Sequence, residues 1–201
     1  MIVSIHQPIH FPYLGFFEKM KMADVFVILD TVKFCKNEYY NRNKFKNNSG
    51  DDEWFTITVE KEAHKKNIKD VLVADPRLWK KKLLRKLNLK FKEDFTKIYS
   101  SNKLVDINMA SIYYCKEKLN INTPLILASS LNIKGKSTER LVNICKKLNA
   151  SKYISGPNGK QYLDEKLFGD IEVQYYNPKV ENYYSTLYNL YEKSFSNRGS
   201  S

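Results

Sequence analysis

The chain has 201 residues, 42% of them hydrophobic and 13% aromatic, which is enough to bury a core and excludes a disordered or low-complexity chain. Lys and Arg number 34 against 22 Asp and Glu, a formal charge of +12. That balance favours anionic partners without choosing among nucleic acid, phosphorylated small molecules and acidic membrane surfaces.

The opening Ile2-Val3-Ser4-Ile5 reads as a short strand that ends at His6-Gln7-Pro8, where proline removes a ladder donor. Residues 11–22 have helical spacing, with Leu14, Phe17 and Met20 on one side and Glu18, Lys19 and Lys21 on the other. Val25 to Leu29 is a continuous apolar run, as expected of a strand buried on both faces, and it stops at Asp30. Lys33 to Gly50 is polar and reads as a loop. Trp54 to Glu60 alternates as a half-buried strand, and Ile68 to Ala74 is expected to pair with it.

Asp75-Pro76 starts a helix over residues 77–91, with Leu78, Trp79, Leu83, Leu84, Leu87 and Phe91 expected inward and the lysines outward. Two more helical segments follow, over 93–100 and 106–119. Pro124 introduces a strand over 125–128, Ser137 caps a helix ending at Asn149, and strands follow over 152–155 and 171–176. The pattern is α/β: a mostly parallel sheet with flanking helices and a helical segment inserted between about residues 76 and 120. Residues 1–176 form this domain. Residues 177–201 are a tail, with one helix over 182–193 and disorder expected over 194–201.

No apolar run approaches the ~18 residues of a membrane span, and no basic, apolar leader opens the chain. Cys35, Cys115 and Cys145 are too few and too scattered for a disulfide framework or a zinc site, so a cytoplasmic, reducing location and no structural metal are expected. Cys115 and Cys145 lie in helical stripes and read as core; Cys35 lies in the polar segment with nothing to mark it as a thiolate.

In open α/β sheets, ligands bind outside the carboxyl ends of the strands. His6 and Gln7 follow the first strand, and Asp30 follows the second. His6 is therefore a candidate general base with Asp30 orienting it; the structural alternative is a capped turn and a loop start. Asn41-Arg42-Asn43 offers a guanidinium fork for carboxylate or phosphate, or a solvated turn. Lys134-Gly135-Lys136-Ser137-Thr138 precedes a helix and is a plausible phosphate site, although it lacks the first glycine of a P-loop. Ser155-Gly156 opens a second strand-to-helix turn that could admit a ligand.

The runs Ile5-His6-Gln7-Pro8, Phe11-Pro12-Tyr13-Leu14-Gly15-Phe16-Phe17-Glu18-Lys19 and Ala23-Asp24-Val25-Phe26-Val27-Ile28-Leu29-Asp30 together resemble the opening of the WbqC-like family. The resemblance continues through Asn41-Arg42-Asn43, Ile133 to Leu141 and Tyr153-Ile154-Ser155-Gly156-Pro157, and covers residues 2 to about 176. It implies a bacterial cytoplasmic protein of O-antigen or other surface-polysaccharide synthesis, with no settled reaction and no known cofactor. The working expectation is a transferase that moves an acyl or aminoacyl group from a donor onto a nucleotide-linked amino sugar. His6 would be the base, Asp30 its orienter, and Gln7, Asn41, Arg42, Asn43, Lys134, Lys136, Ser137, Thr138, Ser155 and Gly156 would hold the substrate. The chain departs from the family in having Ile9-His10 where Asn-Tyr is usual, which argues against a shared role for His10. The family's usual C-terminal runs are also not recognisable after Asn177.

Two other classes fit more loosely. Pro8-Ile9-His10 before a helix has some likeness to nucleotidylyltransferases, but a second His is missing and Gly15 comes too late. A nucleic-acid or other anion-binding module would use the basic face of the 77–91 helix, but no nucleic-acid motif accompanies it. The sequence does not indicate an oligomeric state.

Overall fold

The computed structural model describes residues 1–196, with side chains to residue 191. The expected opening is present as β1 (Ile2–His6), α1 (Leu14–Lys21) and β2 (Val25–Ile28). The polar segment then holds β3 (Arg42–Lys46), which pairs antiparallel with β4 (Asp52–Thr56). Two helices follow, α2 (Pro76–Phe91) and α3 (Leu104–Lys118), and then β5 (Leu125–Leu127), α4 (Ser137–Lys147), β6 (Lys152–Ser155), β7 (Glu172–Tyr175) and α5 (Thr186–Ser196).

The fold is α/β. Five parallel strands form one sheet in the order β5-β2-β1-β6-β7. The contacts divide the chain into two compact units: one of Met1–Gln7, Gly15–Thr31 and Ile121–Glu181, the other of Pro8–Leu14, Val32–Asn120 and the chain from Asn182 onward.

The first unit contains the sheet. Val3, Phe26, Val27, Ile28 and Ile154 are all buried, because helices cover a parallel sheet on both faces and its central strands have no solvent side. Phe16, Phe17 and Met20 of α1 are buried, and Phe16 meets Phe26 of β2 edge to face at 4.9 Å. Met20 and Phe17 lie inward as their spacing predicts, but Lys19, expected on the outer side, is buried as well.

The second unit is built on the β3–β4 hairpin and helices α2, α3 and α5. Phe45 and Phe55 stack at 5.6 Å, and Phe11, Phe91 and Phe95 meet edge to face around them. Burial alternates along β3: Asn43 and Phe45 are inside, while Lys44 and Lys46 hold Asp52 from the outer face. Composition alone made this segment a loop, whereas only one side of it had to be apolar enough to be covered. The strand starting near Trp54 accordingly pairs with β3, and the expected partner 68–74 contributes an isolated bridge, Val59 to Val73.

Helix α2 is capped by Asp75, whose carboxylate accepts from the Arg77 amide, with Pro76 in the first turn. It ends on Lys92 in the left-handed conformation. Trp79, Leu83, Leu87 and Phe91 form its buried stripe at a spacing of four. Leu78 is 77% exposed, contrary to the inward placement expected for it. Residues 93–100 form turns rather than a helix. At the C-terminus, α5 runs to Ser196, so residues 194–196 are helical; the remainder of the segment expected to be disordered, 197–201, lies outside the described residues.

Candidate functional site

In the first unit the strand order reverses between β1 and β6. From β1 the chain builds outward through β2 and β5, then returns to the other side of β1 for β6 and β7. Chain connections diverge at such a point, and the carboxyl ends of the two strands leave a crevice that ligands occupy in open parallel sheets. His6 and Gln7 stand at the end of β1, and Ser155 and Gly156 at the end of β6. The ladder between these strands stops at the pair Ser4–Ile154, where the Ser4 hydroxyl donates to the Ile154 carbonyl at 2.9 Å.

Beyond that last rung, the Ile5 carbonyl accepts from the Nζ of Lys19 on α1, at 3.0 Å. Lys19 is 4% exposed, and its ammonium lies 5.6 Å from the centre of the Phe26 ring. Burial pushes this lysine down from 10.5 to about 7. His6 is half-buried and meets the Phe16 ring edge-on at 5.0 Å. Its Nδ1 lies 3.0 Å from the Gln7 carbonyl, an acceptor only, so Nδ1 carries the hydrogen and Nε2 is the lone-pair nitrogen. Burial first, then the charge of Lys19, lower the imidazole to about 3 against a weaker upward pull from the Gln7 carbonyl. His6 is therefore a neutral imidazole of fixed tautomer. Lys19 was missed in the sequence because helical spacing put it with the polar residues.

Asp30 is buried, and its Oδ1 accepts from the Ser129 amide at 2.9 Å. Among the described residues it forms no hydrogen bond with His6, whose orientation comes from Gln7. Asp30 instead ties the end of β2 to the turn after β5. Arg140 on α4 adds a second tie: its Nη1 donates to the Thr31 carbonyl at 2.8 Å and its Nε to the Gly135 carbonyl at 2.9 Å. The sequence reading gave Arg140 no role.

Lys134, Lys136 and Ser137 are exposed at the start of α4. Lys136, rather than Ser137, occupies the cap position. The Glu139 carboxylate turns back over this end and accepts from the Lys136 amide at 3.4 Å, so the helix already has an anion of its own at its positive end. Gly135 has φ +108, and a side chain there would press on Glu139. Thr138 is buried, with its hydroxyl accepting from the Asp164 amide at 3.2 Å. Ser155 is buried beside Gly159: a Cβ on that glycine would lie 2.1 Å from the Ser155 hydroxyl.

Asn41, Arg42 and Asn43 belong to the second unit. Asn41 donates to the Ile57 carbonyl at 2.9 Å. Asn43 is buried and donates to the carbonyls of His10 and Phe11 at 3.1 and 2.8 Å. The Arg42 guanidinium lies 4.5 Å over the Trp54 ring and donates to the Asn37 carbonyl. These contacts make the three residues struts of the β3–β4 hairpin; Arg42 and Asn43 lie in β3 rather than in the expected loop, and Asn41 is the residue just before it. Among the described residues, no three His, Cys, Asp or Glu side chains converge as a metal site. No helix is long and apolar enough to cross a membrane.

The sequence matches the WbqC-like protein family over residues 7–197, past residue 176 where the motif resemblance ends. It is similar to the uncharacterized protein Rv1507c of Mycobacterium tuberculosis (strain ATCC 25618 / H37Rv), at 26% identity over 185 residues, which cover 86% of this chain and 79% of that protein. No solved structure matches it. With nearly its whole length matched, the chain belongs to the WbqC-like protein family.

Proposed function

We propose that the protein is a transferase of bacterial surface-polysaccharide synthesis that joins an acyl or aminoacyl group to the amine of a nucleotide-linked sugar at the β1–β6 crevice. The observation that carries this reading is His6 at the strand-order reversal, its Nδ1 held by the Gln7 carbonyl and its Nε2 without a hydrogen bond among the described residues. In the reaction the amine attacks the acyl carbon and its nitrogen becomes acidic as the C–N bond forms. His6 Nε2 takes the proton and returns it to the departing group as the bond to the acyl carbon breaks. Gln7, Ser155 and Gly156 line the sugar end, and Lys134, Lys136 and Ser137 supply charge and hydrogen bonds for the diphosphate. Asp30 and Thr138 hold the strand ends that carry this constellation.

The test is a melting-temperature panel of UDP- and dTDP-linked amino sugars, with UDP and dTDP alone as controls. A ligand at a hundred times its Kd stabilises the native state by about 2.7 kcal/mol, a readable shift. The reading expects a shift with at least one amino sugar, retained by His6→Gln while transfer is lost. An absence of any shift, or full transfer by His6→Gln, overturns it.

A further inference from the structure

Helix α2 of the second unit is densely basic, and exposed leucine is interleaved there with the charge. Helix α2 has seven Lys and Arg and no acidic residue. Its inner stripe is occupied by the core. On the outer side Leu78, Lys82, Arg85 and Leu89 follow one another at intervals of four, three and four, which places them on a single face along three turns. Leu78 is 77% and Leu89 70% exposed. Leu89, Lys82, Arg85, Lys86 and Lys92 line a shallow groove of about 790 Å³ whose far wall is the Asn47–Ser49 turn. Glu53 is its one acidic residue, and it is paired with Lys86 at 2.9 Å. Among the described residues, Lys81, Lys82 and Arg85 have no carboxylate partner.

We propose that this face docks on an anionic lipid bilayer, with Leu78 and Leu89 entering the acyl boundary and Lys81, Lys82 and Arg85 on the headgroup phosphates. Charge complementarity selects an anionic partner, and the leucines select among anions. A bilayer buries two leucines three turns apart while its phosphates meet the cations between them. A nucleic-acid strand offers phosphates but makes use of stacking rings. The ring in this groove, Tyr191, is engaged edge-on by Phe91 and lies under the Lys90 ammonium.

The experiment is co-sedimentation of the full chain with vesicles of phosphatidylcholine alone and of equal parts phosphatidylcholine and phosphatidylglycerol. Parallel anisotropy measurements use a single-stranded oligonucleotide. The proposal expects binding to the anionic vesicles only, a loss of at least about tenfold in Leu78→Ser/Leu89→Ser, which keeps the charge, and a similar loss in Lys82→Glu/Arg85→Glu. Lys146→Glu/Lys147→Glu on α4 changes the net charge equally and should bind as the unaltered protein does. Circular dichroism verifies that each variant is folded. No vesicle binding, equal binding by the leucine variant, or equal loss in both charge reversals overturns the proposal. Binding of the oligonucleotide through Lys82 and Arg85 without vesicle binding overturns it in favour of nucleic acid.

Discussion

The Lys19 ammonium donates to the Ile5 carbonyl at 3.0 Å, one residue past the last rung that joins β1 to β6. Strands that diverge leave carbonyls without ladder partners, and an unpaired buried carbonyl costs about 1–3 kcal/mol. A buried lysine meets that need and puts a cation beside His6.

Replacing this lysine tests the coupling. Lys19 is lowered from 10.5 to about 7, so between these values the unfolded chain binds more protons than the folded one and stability rises with pH. Below about 7 both states are charged and the burial penalty is fully present. Lys19→Met should flatten the rise between pH 7 and 10.5 in urea melts. It should also raise the His6 titration seen by NMR, because the neighbouring charge is removed. An unchanged His6 titration would separate the two residues.

Like His6, His10 acts on the acid side. It is fully buried in the second unit, its Nε2 lies 3.0 Å from the Tyr99 hydroxyl, and its Nδ1 has no partner. Burial lowers it from 6.5 to about 3. The folded state therefore loses stability as pH falls from 6.5 towards 3, where the unfolded chain takes up a proton that the core refuses. The loss is on the order of a few kcal/mol. His10→Phe should shift the acid-unfolding midpoint downward in a circular-dichroism titration, even where the Tyr99 hydroxyl lowers stability at neutral pH by about 1–3 kcal/mol.

Gly159 and Ser155 are expected to be coupled. An alanine at 159 would bring its Cβ to 2.1 Å from the Ser155 hydroxyl and 3.1 Å from a Leu163 methyl. Gly159→Ala should cost about 1–3 kcal/mol. Ser155→Ala in the same chain should restore part of that, since the 3.1 Å contacts to Leu163 and to the Ser155 Cβ persist. A double-mutant cycle from denaturant melts gives the coupling directly, and strict additivity would contradict it.

The cysteines should react in two classes. Cys35 is exposed, whereas Cys115 and Cys145 are buried; burial raises both buried thiols, Cys145 to about 12. A thiol reagent at neutral pH should label one cysteine in the native protein and three in denaturant. Rapid labelling of a second thiol without denaturant would mean that a core helix opens.

Much of the first unit was legible from the sequence. The apolar run Val25 to Ile28 reads as a strand covered on both faces, and in the second unit Asp75-Pro76 with a spacing of four marks the start and inner stripe of α2. His6, Gln7, Asp30, Ser155 and Gly156 could be placed at strand ends from the same signals. Periodicity, however, separates the sides of one element without saying what covers either. Lys19 sits on the polar side of α1 and is buried, because a strand end 14 residues earlier offers it a carbonyl. Leu78 sits near the apolar stripe of α2 and remains in solvent.

Asn43 shows the same limit from the other direction. Its amide looked like a ligand group in a polar loop, but the fold brings the carbonyls of His10 and Phe11 to it from 33 and 32 residues away, and it becomes a strut of β3. The sequence by itself determined which segments could be strand or helix, because local spacing and caps act over a few residues. Only the tertiary structure decided which polar groups are buried, because each needs a partner supplied by a distant part of the chain.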